Sequence, residues 1–369
     1  MRAFPRDALF RAVAAAAIAI YSDITRATAI GLSSSSPHAT LIALTEGGGG
    51  ALCVAFTLDG RPFRAIVDTG SPFLTIPAEA DCAEQPLRQA FFGCAPNSAF
   101  RRASIPPSPE LYGTTEAFLE WRVAELRGLT AQPQLDLVIG AAPRSLVEAS
   151  GGTFAGLIPN GDGQHPTFLG QLSPPITGFV LDGPNMELRL YPFTSTRRSG
   201  RIMRSPGSPV IPHDVDAVRL LDLRPLGDPV DHIAATATRL VLDGKPVPLC
   251  RPLIAVFDSG LTGALLSSRL CDDAPDATSA ARLAAASSLE VVIETESGGQ
   301  LTLRATRDLM PRLFRVGSQP VPWFPDPSVE PGVVVLGQTF LRHALLAVDF
   351  CERRALCIQG GANSAPKTA

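Results

Sequence analysis

The stretch Ala65–Pro77 reads AIVDTGSPFLTIP, and a second stretch, Ala255–Cys271, reads AVFDSGLTGALLSSRLC. Each sets apolar residues ahead of an aspartate, Asp68 or Asp258, follows it with a hydroxyl residue and a glycine, and then returns to an apolar strand. A carboxylate placed behind an apolar strand is costly to bury unless it is paired and hydrogen-bonded. Two of them in matched contexts, about 190 residues apart, point to two copies of one unit that pair with each other.

The duplication extends beyond the aspartates. Each is preceded by a hairpin pattern, ALCVAFTLDGRPFRAIVD in the first half and ATRLVLDGKPVPLCRPLIAVFD in the second, with Asp-Gly turns at 59–60 and 243–244. Each is followed by apolar residues around a glycine, TFAGLIP at Gly156 and VVVLGQTFL at Gly337. Between the halves, GFVLDGPNMELRLYP reads as another hairpin, and TSTRRSGRIMRSPGSP, residues 194–209, as a polar connection. Its cluster of Arg197, Arg198, Arg201 and Arg204 reads as a solvated loop, with a processing site as the alternative. Helical pattern is confined to short pieces such as DATSAARLAAASSL, and GGGG at 47–50 lacks the following Gly-Lys-Ser/Thr of a phosphate loop.

Composition agrees with this reading. Apolar residues make up 45% and charged residues 18%, the profile of a folded chain rather than a disordered one. The 369 residues leave room for one large domain or two lobes with separate cores, and 32 Gly with 34 Pro favour a turn-rich, mainly β protein. A net charge of -3 gives no reason to expect nucleic acid as a partner. At the N-terminus, arginines at 2, 6 and 11 precede an apolar run, Ala12–Tyr21, and then Ala27-Thr28-Ala29, which is the layout of a signal peptide over residues 1–29. A transit peptide or signal anchor are the alternatives, and no other stretch approaches membrane-spanning length. In an oxidising compartment the close pairs Cys82/Cys94, Cys250/Cys271 and Cys351/Cys357 are candidate disulfides that would leave Cys53 free, although spacing does not fix the connectivity.

Two carboxylates held within a few ångströms cannot both ionise easily, so one pKa is expected to rise, the other to fall, and the pair to share one proton. Such a pair can take a proton from water while polarising a carbonyl, which is general acid-base hydrolysis without a covalent intermediate. Gly70 and Gly260 would allow the tight loops this needs, and Thr69 and Ser259 would supply hydroxyls tying the loops together. The sequence has no G-x-S-x-G elbow, no H-E-x-x-H and no zinc spacing, and the reading calls for no cofactor and no metal.

With Asp-Thr-Gly-Ser at 68–71, Asp-Ser-Gly at 258–260 and the closing block VVLGQTFLRHALLAVDFCERRALCI, the chain resembles the pepsin-like aspartic endopeptidases from about Gly50 to Ile358. The resemblance implies an all-β, two-lobed fold with a central cleft and one aspartate per lobe. It divides the chain into a signal peptide (1–29), a lead-in (30–50), an N-terminal lobe (51–193), a connection (194–209), a C-terminal lobe (210–359) and a disordered tail (360–369). It also implies Asp68 and Asp258 as the catalytic pair, and a flap over the substrate carrying Tyr112, Gly113 and Thr114. The implied substrate is a polypeptide cut at acidic pH by a monomer that is secreted or held in an acidic vacuolar compartment, with a plastid as the alternative.

The chain departs from the family pattern in places. Ser71 keeps the hydroxyl that hydrogen-bonds the first carboxylate, whereas the matching position in the second copy is Leu261, with Thr262 beside it. Thr75 stands where the family often has a tryptophan supporting the flap tyrosine, and few residues separate the signal from the first strand. A pepsin-like protein that binds peptides or a protein partner in the cleft without cutting them is therefore the alternative function.

Overall fold

A computed structural model describes residues 39–359, apart from 48–49, 78–90, 95, 97, 113–114, 130–134, 143–152, 160, 162, 193–194, 199–200, 205–209, 268–269, 271–278, 309–313 and 320–330. The expected signal peptide, most of the lead-in and the expected tail lie outside the described residues. So do Cys82, Cys271, Gly113 and Thr114. The described chain is mostly strand, with short helices such as Phe168–Gln171, Ala280–Ala285 and Gln338–Leu341. No helix among the described residues is long and apolar enough to cross a membrane.

The Asp-Gly turns form as read. Asp59 and Gly60 take φ values of 47° and 76°, and Asp243 and Gly244 take 50° and 74°. Two successive left-handed residues match the right-handed twist of the strands they join, which Asp-Gly tolerates and β-branched residues do not. The first turn joins Leu52–Leu58 to Arg61–Asp68, and the second joins Ala234–Leu242 to Lys245–Pro246. Both turn carboxylates also reach a neighbouring strand or its lead-in. Asp59 Oδ1 accepts from Glu125 N at 2.8 Å, and Asp243 Oδ1 accepts from Ser287 N at 2.7 Å and Ser288 N at 2.9 Å.

The two halves then repeat one topology strand for strand. Arg61–Asp68 runs parallel to Phe154–Gly156, which pairs antiparallel with Leu74–Pro77, itself parallel to Leu135–Ala142. Leu253–Phe257 likewise runs parallel to Gly332–Leu336, which pairs antiparallel with Ala264–Ser267, itself parallel to Val316–Gln319. In each half a strand ending in a glycine, or just before one, is inserted between the strand entering the aspartate and the strand leaving it. Leu253–Phe257 and Gly332–Leu336 are buried throughout, as expected of parallel strands covered on both faces, and they read as unbroken apolar runs for that reason. In the first half the sheet curls back on itself, because Leu52–Leu58 also pairs with Thr115–Arg127 through Leu58 and Leu126.

A third sheet draws on both halves, in the order Thr40–Ala43, Glu187–Pro192, Ile176–Asp182, Ala344–Asp349, Arg354–Gln359, Val218–Arg219. Its central pairing sets Gly178 against Asp349 and Asp182 against Leu345. Both aspartates are buried at a strand end and cap the turn that follows. Asp182 Oδ1 accepts from Asn185 N at 3.1 Å, and Asp349 Oδ1 accepts from Cys351 N and Glu352 N at 2.9 Å each. The internal duplication thus includes this pair of hairpins, which the sequence reading had treated separately.

Two expectations are corrected. The stretch 194–209 is not a plain loop: Ser195–Arg198 pairs antiparallel with Arg201–Arg204, a two-residue spacing that suits a hairpin. The candidate disulfides Cys351/Cys357 and Cys250/Cys271 do not form. Cys357 points into the core from its strand and keeps a thiol that burial pushes up to about 12, whereas Cys351 sits in the exposed turn. Cys250 keeps its thiol, which donates to Leu270 O at 3.2 Å. Cys94 is disulfide-bonded. Cys53 is a buried free thiol, as expected, and burial pushes it up to about 12.

Candidate active site

The duplicated topology carries Asp68 and Asp258 to the ends of corresponding strands in two separate sheets, and their loops meet. The loops are locked by reciprocal hydrogen bonds across the halves. Thr69 Oγ1 donates to Phe257 O at 2.9 Å and accepts from Ser259 N at 2.8 Å, while Ser259 Oγ donates to Val67 O at 2.6 Å and accepts from Thr69 N at 3.0 Å. Both residues are fully buried, so each hydroxyl replaces a water that cannot reach the backbone groups.

The glycines admit the opposing carboxylates. A Cβ on Gly70 would lie 2.5 Å from Asp258 Oδ1, and one on Gly260 would lie 2.4 Å from Asp68 Oδ1, so neither position has room for a side chain. Their amides close the loops onto their own aspartates: Gly70 N donates to Asp68 Oδ1 at 2.8 Å, and Gly260 N to Asp258 Oδ1 at 2.9 Å.

The glycine blocks support the loops from behind. Leu157 N donates to Asp68 O at 2.7 Å and Ile158 N to Ser71 O at 3.1 Å. In the second half, Asp258 N donates to Leu336 O at 3.0 Å and Gln338 N to Leu261 O at 2.7 Å. Gly156 and Gly337 allow this contact, since a Cβ there would meet Ser71 O at 2.5 Å or Gly263 O at 2.1 Å. Gln338, absent from the sequence reading, is buried beneath the second loop and donates its side-chain amide to Ser259 O.

The electrostatics correct one expectation. Instead of one carboxyl rising and one falling, both are raised, because burial penalises the charge on each. Asp258 rises further: beyond burial, the negative charge of Asp68 stands next to it, and it donates a hydrogen bond to Asp68. Asp68 is restrained by the Ser71 hydroxyl, the Gly70 amide, the hydrogen bond with Asp258 and the charge of His232. The Ser71 hydroxyl is buried beside Asp68 without a hydrogen bond of normal geometry. Both carboxyls are therefore easier to protonate than an ordinary aspartate, which favours a pair that shares one proton. Asp68 is 4% exposed, whereas Asp258 is partly open.

In the second loop Leu261 brings no hydroxyl, and its backbone does part of that work: Leu261 N donates to Asp258 Oδ1 at 3.2 Å. The side chain of Thr262 is exposed and does not replace the missing hydroxyl; only its carbonyl takes part, accepting from Thr339 N at 3.1 Å and Thr339 Oγ1 at 3.0 Å. A one-residue step along an extended segment turns the side chain to the other face, which is why the neighbour cannot substitute.

Tyr112 ends the strand Ser108–Tyr112 and faces Thr115 across a tight hairpin with Thr115–Arg127. The base of this hairpin is tied to the Asp68 loop by Trp121. Its indole donates to Ser108 Oγ at 3.2 Å, stacks on His165 at 4.6 Å and meets the edge of Phe73 at 5.0 Å. Thr75 is buried and paired with Gly140, which in turn pairs with Trp121 on the next strand.

Comparison with protein-family models gives no match for this chain, and neither does comparison with curated proteins.

Proposed function

We propose that the protein is an aspartic endopeptidase of the pepsin-like kind. The observation that carries the reading is the buried Asp68–Asp258 pair, one carboxyl from each copy of a duplicated unit, each set against the opposing loop's glycine and each raised by burial. In this mechanism Asp68 takes a proton from a water held between the carboxyls as the water oxygen attacks the peptide carbonyl carbon. Asp258 gives its proton to the carbonyl oxygen. Collapse of the tetrahedral intermediate then expels the amine, which takes its proton from Asp68, while a hydroxyl of the intermediate returns a proton to Asp258 as the new carboxyl forms, so the pair is restored.

The two-lobed arrangement, with lobes 51–193 and 210–359 and a cleft between them, belongs to this proposal. It is supported by two large sheets, each built within one half, that meet through Thr69 and Ser259. The Ser108–Tyr112 hairpin is the proposed flap, and secretion through a signal over 1–29 is the proposed route.

One observation favours a silent, peptide-binding protein instead: Leu261 leaves Asp258 without a side-chain hydroxyl donor. Cleavage of an unfolded protein at acid pH, blocked by a transition-state-mimicking peptide and lost in Asp68→Ala, decides between the two. A wild type that binds the inhibitor but cuts nothing at any acid pH would leave only the binding role.

A further inference from the structure

The long strand Thr115–Arg127 changes partners along its length. From Glu120 to Leu126 it pairs with Leu135–Ala142, and at Arg122 and Val123 with Arg101–Arg102, so this part lies inside the sheet. From Thr115 to Leu119 it pairs with Ser108–Tyr112 alone among the described residues. The hairpin therefore leaves the sheet next to Trp121. On the opposite side of the ladder the chain there reads Ile105-Pro106-Pro107, and neither proline has an N–H to donate. The last backbone bond before them runs from Ala103 N to Trp121 O at 3.0 Å.

The side chain of Trp121 spans this break. Its indole N–H donates at 3.2 Å to the hydroxyl of Ser108, the first residue of the hairpin. Leu119 and Trp121, two residues apart and both buried, share one face of their strand, and Ser108 stands opposite Leu119. The bond is thus a diagonal cross-strand contact on the inner face. Ser108 Oγ in turn donates to Glu110 Oε1 at 3.4 Å. The indole is itself held on its other sides, 3% exposed, with Phe73 edge-on at 5.0 Å and His165 stacked at 4.6 Å. Phe73 closes the Asp68 loop, where its carbonyl accepts from Gly156 N at 2.9 Å. Direct contacts therefore run from the Asp68 loop through Trp121 to the first residue of the hairpin.

We propose that Trp121 is the positioning residue of this hairpin: its N–H bridges the ladder where Pro106 and Pro107 cannot, and so fixes the angle of the hairpin against the Asp68 loop. A peptide lying over the aspartates then meets a hairpin already held at its binding angle, which lowers the ordering cost of binding. The inference rests on the reading of the hairpin as a flap for its meaning in binding, but not for the stapling itself.

The test removes each end of the bond, with Ser108→Ala and Trp121→Phe singly and together, and restores the acceptor with Ser108→Thr. Hydrogen exchange of the hairpin amides is followed by mass spectrometry against those of Leu135–Ala142, alongside KM and kcat for an unfolded protein at acid pH and a thermal melt. Loss of one hydrogen bond is expected to speed hairpin exchange and raise KM by about 3–10-fold each, with kcat little changed and the reference strand unaffected. Ser108→Thr should return both to wild-type values, and the double variant should be no worse than Trp121→Phe alone. Additive effects of the two changes, or a lowered melting temperature with exchange and KM at wild-type values, would overturn the inference. Ser108→Ala and Ser108→Thr decide the matter if Trp121→Phe does not fold. If the wild type cleaves nothing, the peptidase reading fails by itself, while the exchange of the hairpin amides still decides whether Trp121 staples it.

Discussion

Replacing Thr69 with valine keeps the shape of the side chain and removes only its hydroxyl. In the wild type that oxygen donates to Phe257 O at 2.9 Å and accepts from Ser259 N at 2.8 Å, both in a fully buried junction. Valine therefore deprives two buried backbone groups of a partner at once, and each such orphan costs about 1–3 kcal/mol. The expected loss is about 2–6 kcal/mol, a large share of the ~5–15 kcal/mol that holds a typical domain folded. Because the same bonds set the loops in register, a carboxyl shift on the order of 1 Å would follow, worth roughly 100-fold in rate. Urea denaturation gives the first quantity and kcat/KM on an unfolded protein substrate the second. A variant that loses less than about 1 kcal/mol and cleaves at the wild-type rate would refute the view that this hydroxyl locks the two halves together.

Other consequences are equally open to measurement. Gly260→Ala places a methyl 2.4 Å from Asp68 Oδ1, so cleavage should be abolished and about 1–3 kcal/mol of stability lost; unimpaired activity would show that the carboxyls do not approach this closely. The folded-state pKa of Asp258 is raised, so its contribution to stability is full below the ordinary carboxylate value and is lost as pH rises through the raised value. Asp258→Asn should therefore flatten that fall and match or exceed the wild type near neutral pH in thermal melts, even though the proposed mechanism makes it inactive. Cys53 and Cys357, with thiols pushed up to about 12, should resist alkylation at pH 8 in the native protein and react once it is unfolded, a difference that mass spectrometry reads directly.

What could be read from the sequence was whatever the chain encodes locally or repeats. The Asp-Gly turns at 59–60 and 243–244 follow from two residues that accept left-handed backbone. Asp68, Asp258, Thr69, Ser259 and both glycines follow from laying one copy of the unit over the other. Features that depend on which face a residue presents were not legible. Cys351 and Cys357 are close in sequence, yet one is exposed in a turn and the other faces the core. The rise of both carboxyl pKa values comes from burial, which a motif does not reveal. Gln338 and Trp121 reach the two loops through contacts between segments far apart in the chain, with Ser259 O and Phe73 respectively.

The central claim is that Asp68 and Asp258 act as one acid-base unit sharing one proton. A pH–rate profile on a mixed peptide library, run side by side on the wild type and Asp258→Asn, tests it most directly. The account predicts a bell-shaped profile with its maximum in acid for the wild type and no cleavage by the variant. Wild-type cleavage without an acid maximum, or cleavage that survives in Asp258→Asn, would contradict it.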